Sequence, residues 1–125
     1  MAQSAQGWEL DVERGPDWLY VRPHATLFDT QDERELARQI WSLLEQNFTH
    51  RLVLELDDLG HMRSFLLGQL VWLQKRIHAH GGLLRLCGLN AANQNILRQC
   101  RLDNCFACYA SREEAVMGYR PAHPR

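Results

Sequence analysis

A chain of 125 residues, 46% of them hydrophobic, falls in the range of one domain with a single buried core. Lysine and arginine number 14 against 15 for aspartate and glutamate, a formal net charge of -1, which excludes an overall field drawing the protein to nucleic acid or anionic lipid. No apolar run is long enough to cross a bilayer, and the opening MAQSAQGWELD has neither the basic nor the apolar region of a secretory signal, so a cytoplasmic protein without membrane insertion is expected.

Residues 1–7 read as a tail. Residues 8–14 (WELDVER) and 18–22 (WLYVR) carry β-formers on either side of Gly15-Pro16-Asp17, which predicts an antiparallel hairpin. After Pro23 the connecting segment HATLFDT has no clear period. Thr30 and Glu33 form a capping box, and Leu36, Ile40, Leu43 and Leu44 recur at helical spacing as far as Asn47 or Phe48. Residues 52–56 (LVLEL) are too short and too apolar for a surface helix and fit a strand covered on both sides. A second helix is predicted from about Ser64 to His80, with Leu66, Leu67, Leu70, Val71, Leu73 and Ile77 inward, Gln69, Gln74, Lys75 and Arg76 on a wetter side, and Gly81-Gly82 as its stop. Residues 83–87 form the next strand. Asn90 caps a third helix carrying Ala92, Ile96, Leu97 and Cys100, residues 105–109 are a final short strand, and Ser111 with Glu114 boxes the start of a helix ending near Gly118. Residues 119–125, with Pro121 and Pro124, read as a second tail. Strand and helix alternate after a hairpin, so the expected architecture is one α/β domain over residues 8–118, a mixed β-sheet flanked by α-helices.

Little in the chain points to catalysis. Cys87, Cys100, Cys105 and Cys108 are expected as reduced thiols, and although Cys105 and Cys108 match CxxC, they lie in the apolar run CFACYA, where a thiol serves as a small hydrophobe. Asp57 and Asp58 end a strand where α/β proteins place ligands, yet adjacent side chains point differently and no third carboxylate is in view. His78 and His80 are two apart on a helix and share no face. Trp41 and Trp72 sit beside apolar stripes as packing. No phosphate-binding glycine loop, HExxH or nucleophile elbow occurs. No catalytic residue, metal or cofactor is expected, and the protein is not expected to be an enzyme.

The stretch HMRSFLLG, residues 61–68, holds the one feature with regulatory chemistry. Ser64 is the only hydroxyl in this turn. It suits a helix N-cap, and it also suits a phosphate acceptor, because the free N–H groups and dipole of a helix start favour an anion. Met62 and Phe65 beside Arg63 would, if exposed, make an aromatic-plus-arginine cluster of the sort enriched at interfaces; Phe65 or Leu66 could equally fill the core.

Four segments together resemble the STAS domain family: RLVLELDDL (51–59), MRSFLLGQLVWLQKRIHAHGG (62–82), LLRLCGLN (83–90) and RLDNCFACYASREEAV (101–116). The resemblance spans nearly the whole chain. In an ungapped reading Arg63 stands on the family's Asp, Ser64 on its first Ser, Phe65 on the second Ser that is the usual phosphate acceptor, Leu66 on Gly and Gly68 on Gly. The resemblance implies a bacterial regulator of transcription, anti-sigma factor antagonist-like, that binds an anti-sigma factor or kinase-like protein, with phosphorylation at Ser64 as a control. Asp58, His61, Met62, Arg63, Ser64 and Phe65 are the expected contact residues. Two alternatives remain open: an unphosphorylated scaffold or subunit of a stress-signalling or lipid-transport complex, and a small-ligand sensor for a nucleotide or lipid. Pairing of two copies through an edge strand is likewise open.

Overall fold

In a computed structural model, residues 2–5, 8–25, 34–60, 62 and 64–118 are described. Ten elements follow one another: β1 (Ala2–Ala5), β2 (Trp8–Arg14), β3 (Leu19–Ala25), α1 (Arg34–Gln46), β4 (Arg51–Glu55), α2 (Ser64–Ala79), β5 (Leu83–Cys87), α3 (Ala91–Gln99), β6 (Ala107–Tyr109) and α4 (Arg112–Met117). The strands lie in one sheet in chain order, β1-β2-β3-β4-β5-β6. β1 to β3 form an antiparallel meander, and β3 to β6 run parallel. The sheet is therefore mixed, as expected, but Ala2–Ala5 pairs with β2 as an edge strand where a tail was anticipated. The capping box at Thr30 and Glu33 and the tail 119–125 lie outside the described residues.

Each parallel step needs a crossover helix, and crossovers of one hand between sequential neighbours put those helices on one face of the sheet. The main core lies there. Leu10, Val21, Leu52, Leu54, Leu84 and Leu86 point from the strands against Leu36, Ile40 and Leu44 of α1, Leu70, Leu73 and Ile77 of α2, and Leu97 of α3. Trp41 and Trp72 pack into or against this cluster. The opposite face is covered over β4 to β6 by α4, through a small second cluster of Trp18, Val53, Cys87 and Ala115. β4 is consequently buried on both sides, Leu52, Val53 and Leu54 each at 0% exposure.

Three helices end in the same way. The second residue past α1, α2 and α3 adopts a left-handed conformation, and the next residue donates its N–H back to the helix: Thr49 to Leu44 O, Gly82 to Ile77 O and Leu102 to Leu97 O. This is the Schellman geometry, which glycine fills best. Only Gly81 does so here; the other two left-handed positions hold Phe48 (φ 55°) and Arg101 (φ 61°). Phe48 is also 91% exposed. Phe48→Gly is therefore expected to stabilise the domain by about 1 kcal/mol, since the left-handed penalty goes and little packing is lost; a denaturation midpoint that falls instead would show that Phe48 packs.

Candidate functional site

Because β3 to β6 are parallel, their C-terminal ends gather at one end of the sheet, where α2, α3 and α4 begin, the usual place for a site in an α/β protein. The connection from β4 to α2 crosses this end. Leu56 continues the ladder by donating to Cys87 O at 2.8 Å, and Leu59 folds back on Leu56 O at 3.3 Å. Gly60 then turns the chain at φ 75°.

The turn is fastened from beneath by α3. Asn93 is 1% exposed, accepts the Met62 N–H on Oδ1 at 2.9 Å and donates from Nδ2 to Gly60 O at 2.5 Å. Its own N–H goes to the Asn90 side chain at 2.7 Å, the expected N-cap. Buried polar groups must be paired, and one amide side chain here satisfies a donor and an acceptor of the turn together. The third helix thus packs with Asn93 and Leu97 inward, while Ala92 and Cys100, expected on that face, are exposed.

The expected contact residues separate. Met62 is 1% exposed and belongs to the main core, because the Asn93 clamp pulls its backbone inward; the exposed cluster built on Met62 is corrected accordingly. Leu66 and Leu67 are also buried. Ser64 and Phe65 are the first two residues of α2, so Ser64 lies within a residue of the expected cap. His61 and Arg63 lie outside the described residues. Asp58 is on the surface, with its carboxylate 3.0 Å from His24 Nδ1, and His24 Nε2 lies 2.7 Å from Asp11 on β2. Asp57 points another way, toward Arg22 at 3.8 Å, and covers Gly88, where a Cβ would meet its carboxylate at 2.4 Å. The two aspartates diverge as anticipated.

Beside the turn lies an ion cluster that sequence reasoning passed over. Glu55, 3% exposed, receives the Arg112 guanidinium in a bidentate pair, Nε to Oε2 at 2.5 Å and Nη2 to Oε1 at 3.1 Å. Arg112 also reaches Glu13 at 2.9 Å and lies over the Tyr20 ring at 4.2 Å, and Arg22 approaches Glu55 at 3.5 Å. A shallow cleft of about 310 Å³ opens over Asp11, Glu13, Tyr20, Arg22, Glu55 and Arg112. The bonds to Glu55 and Glu13 outweigh desolvation and hold the Arg112 guanidinium firmly charged. Cys87, at the edge of the cluster, is 2% exposed, and burial first, then the charges of Glu55 and Asp57, push its thiol up to about 12. The signal was present in the sequence: one carboxylate inside the apolar run LVLEL requires a cationic partner.

Among the described residues no group of three or more His, Cys, Asp or Glu could hold a metal ion. β6 starts at Ala107, so Cys105 sits exposed in the preceding turn, while Cys108 is half-buried in the strand. The CxxC sequence therefore spans two different environments.

A family model of the STAS domain matches residues 9–115. Among solved structures, a Thermotoga maritima protein assigned as an anti-sigma factor antagonist is similar at 20% identity, with a TM-score of 0.78 over 87% of this chain and 92% of that one. The Bacillus anti-sigma factor antagonist SpoIIAA is 16% identical, with TM-scores of 0.70 for its unphosphorylated form (92% of this chain, 99% of that one) and 0.64 for its phosphorylated form (89% and 99%). A chain of the stressosome, a signal integration and transduction hub, is 18% identical, with a TM-score of 0.72 over 86% of this chain and 94% of that one. At these identities the likeness is one of fold.

Arg112→Leu leaves Glu55 buried without its main counter-charge and is expected to cost about 3 kcal/mol, the lower end for a broken buried pair, because the Arg112 side chain is 30% exposed. Adding Glu55→Gln should restore part of that loss in urea denaturation; no recovery would mean that Arg112 acts through packing alone. In the folded protein at pH about 8, Cys100 and Cys105 should react with a thiol reagent while Cys87 stays protonated and covered until unfolding. Peptide mapping after brief labelling separates them.

Proposed function

The chain belongs to the STAS domain family, and from that premise we propose that it is a regulatory protein-interaction domain of the anti-sigma factor antagonist kind. It acts by binding, not by catalysis, and its partner is an anti-sigma factor or kinase-like protein engaged in a bacterial transcription-control pathway. The carrying observation is the β4–α2 turn, at the carboxyl end of the parallel strands, where Asp57, Asp58 and Gly60 are exposed and Asn93 and His24 hold the turn from outside. A preorganised loop binds with less entropic loss than a mobile one.

Asp58, Arg63 and Phe65 are the contact residues of this proposal, with His61 beside them. Met62 supports the turn from the core. Ser64, the only hydroxyl in the stretch 61–68, is the phosphate acceptor the proposal assigns. A phosphoryl group there adds roughly -1.5 to -2 charges to the proposed contact surface, so repulsion and desolvation weaken the complex. A second reading, an unphosphorylated scaffold in a stress-signalling assembly, is favoured by one feature: Phe65 replaces the hydroxyl that the family uses most often.

Co-purification of the tagged chain from its own cells should recover an anti-sigma factor or kinase-like protein, and Phe65→Ala should weaken that complex about tenfold or more, as truncation of a buried aromatic anchor does. Peptide mass spectrometry with and without phosphatase should place phosphate on Ser64, and Ser64→Glu should release the partner. A chain unmodified under growth and stress, still bound to a large non-kinase assembly, would select the scaffold reading.

A further inference from the structure

Among the described residues, His24 is the histidine that ties the β4–α2 turn to the sheet through both of its ring nitrogens. Its Nε2 lies 2.7 Å from an Asp11 carboxylate oxygen and its Nδ1 lies 3.0 Å from an Asp58 carboxylate oxygen. Both contacts lie within ion-pair distance, and the one to Asp11 is a hydrogen bond. A neutral imidazole has one N–H, so it can donate to Asp11 or to Asp58, and it turns a lone pair toward the other. The imidazolium alone donates to both. We infer that His24 is a proton-operated latch on the recognition turn, closed when the ring is cationic and released at Asp58 or Asp11 when it is neutral.

The charges facing the ring have the arrangement such a latch needs. β2 contributes Asp11 and, directly opposite His24 in the strand register, Glu9. The turn contributes Asp58, with Asp57 next to it, and the neighbouring cation on β3 is Arg22, whose guanidinium is directed to Glu55 and Asp57. Among the described residues, therefore, the two ring nitrogens meet carboxylates and no cation. His24 is 28% exposed and Asp58 is 48% exposed, so protons exchange freely with solvent and the contacts are partly screened.

The Asn93 clamp does not change over this pH range, because an amide does not titrate. The turn then keeps its other contacts, Leu56 on Cys87 O, Arg22 at Asp57 and Asn93 at Gly60 and Met62, and has one conditional contact, at Asp58. Proton loss loosens the segment at Asp58 while the others hold. The sign is fixed by counting protons: the turn is held while the ring is cationic and loosened once it is neutral. Partner recognition through this turn, which rests on the function proposed above, then becomes stronger at the acidic end.

The latch itself is tested on the isolated chain, without a partner. NMR titration from pH about 5 to 8.5 follows the His24 ring together with the backbone amides of Leu59 and Met62. The Leu59 resonance should titrate with the ring, and its protection against exchange, corrected for intrinsic rates, should fall about two- to fivefold as the ring becomes neutral, the change expected of a partly exposed ion pair. Met62 protection should hold. In His24→Gln, a surface change whose folding is checked by the unaltered remainder of the spectrum, the pH dependence at Leu59 should vanish. A Leu59 signal that ignores the ring in the wild-type chain, or that keeps its pH dependence in His24→Gln, would overturn the latch. A turn that titrates as described in a chain that binds no anti-sigma factor or kinase-like protein upholds the latch and refutes the partner reading.

Discussion

The end of the sheet that carries the turn depends on one buried charge. Glu55 is the last residue of β4, the central strand, and its side chain points to the face opposite the main core, where burial without a partner would be prohibitive. Arg112, the first residue of α4, answers it with a bidentate pair. The apolar cluster under α4 is small, so this pair, with the Arg85 guanidinium bonded to the Ala115 and Val116 carbonyls, is what fixes the helix on the sheet. Docking α4 closes one side of Cys87 and positions the loop after β6 beside Asp57.

The turn itself is constrained from the opposite direction. Gly88 leaves β5 at φ 79°, and its missing Cβ makes room for the Asp57 carboxylate. The same departure brings Asn90 to the start of α3 and Asn93 under Gly60. A small polar turn could satisfy its own backbone with serine hydroxyls. Here Leu66 and Leu67 are core residues instead, and the Gly60 carbonyl and Met62 N–H are satisfied by an amide from the next helix.

What could be read from the sequence follows from how local each signal is. β5 matches its expected bounds at both ends because Gly82 and Gly88 bracket an alternating apolar run. The caps at Asn90 and Ser111 are local hydrogen bonds and were equally legible. The inward face of α3 was misplaced because its key residue is polar: hydropathy sends Asn93 to the surface, and only the distant Gly60 and Met62 backbone groups explain its burial. Met62 was misjudged for a different reason: it was grouped with Arg63 and Phe65 as a surface cluster, although its own hydropathy favours the core it occupies. β1 escaped notice because AQSA carries no strand pattern and owes its conformation to pairing with β2. Glu55, Arg112 and His24 were each visible singly, but their partners lie 57, 57 and 13 or more residues away, and no window along the chain joins them.

In the function proposed above, these long-range pairs are what would hold the turn for recognition with Arg63 and Phe65 in place of small polar residues. The fixed points of the turn among the described residues are Leu56, Gly60 and Met62 below and Asp58 above. Under that proposal, substitutions at residues 63–65 would alter what is bound, while the contacts at Gly60 and Met62 support the turn from outside that stretch. The two proposals made above would then act on one turn: a hydroxyl at residue 64 and a histidine between two carboxylates would let charge address it from two sides, by a phosphoryl group at the start of α2 or by a proton on β3.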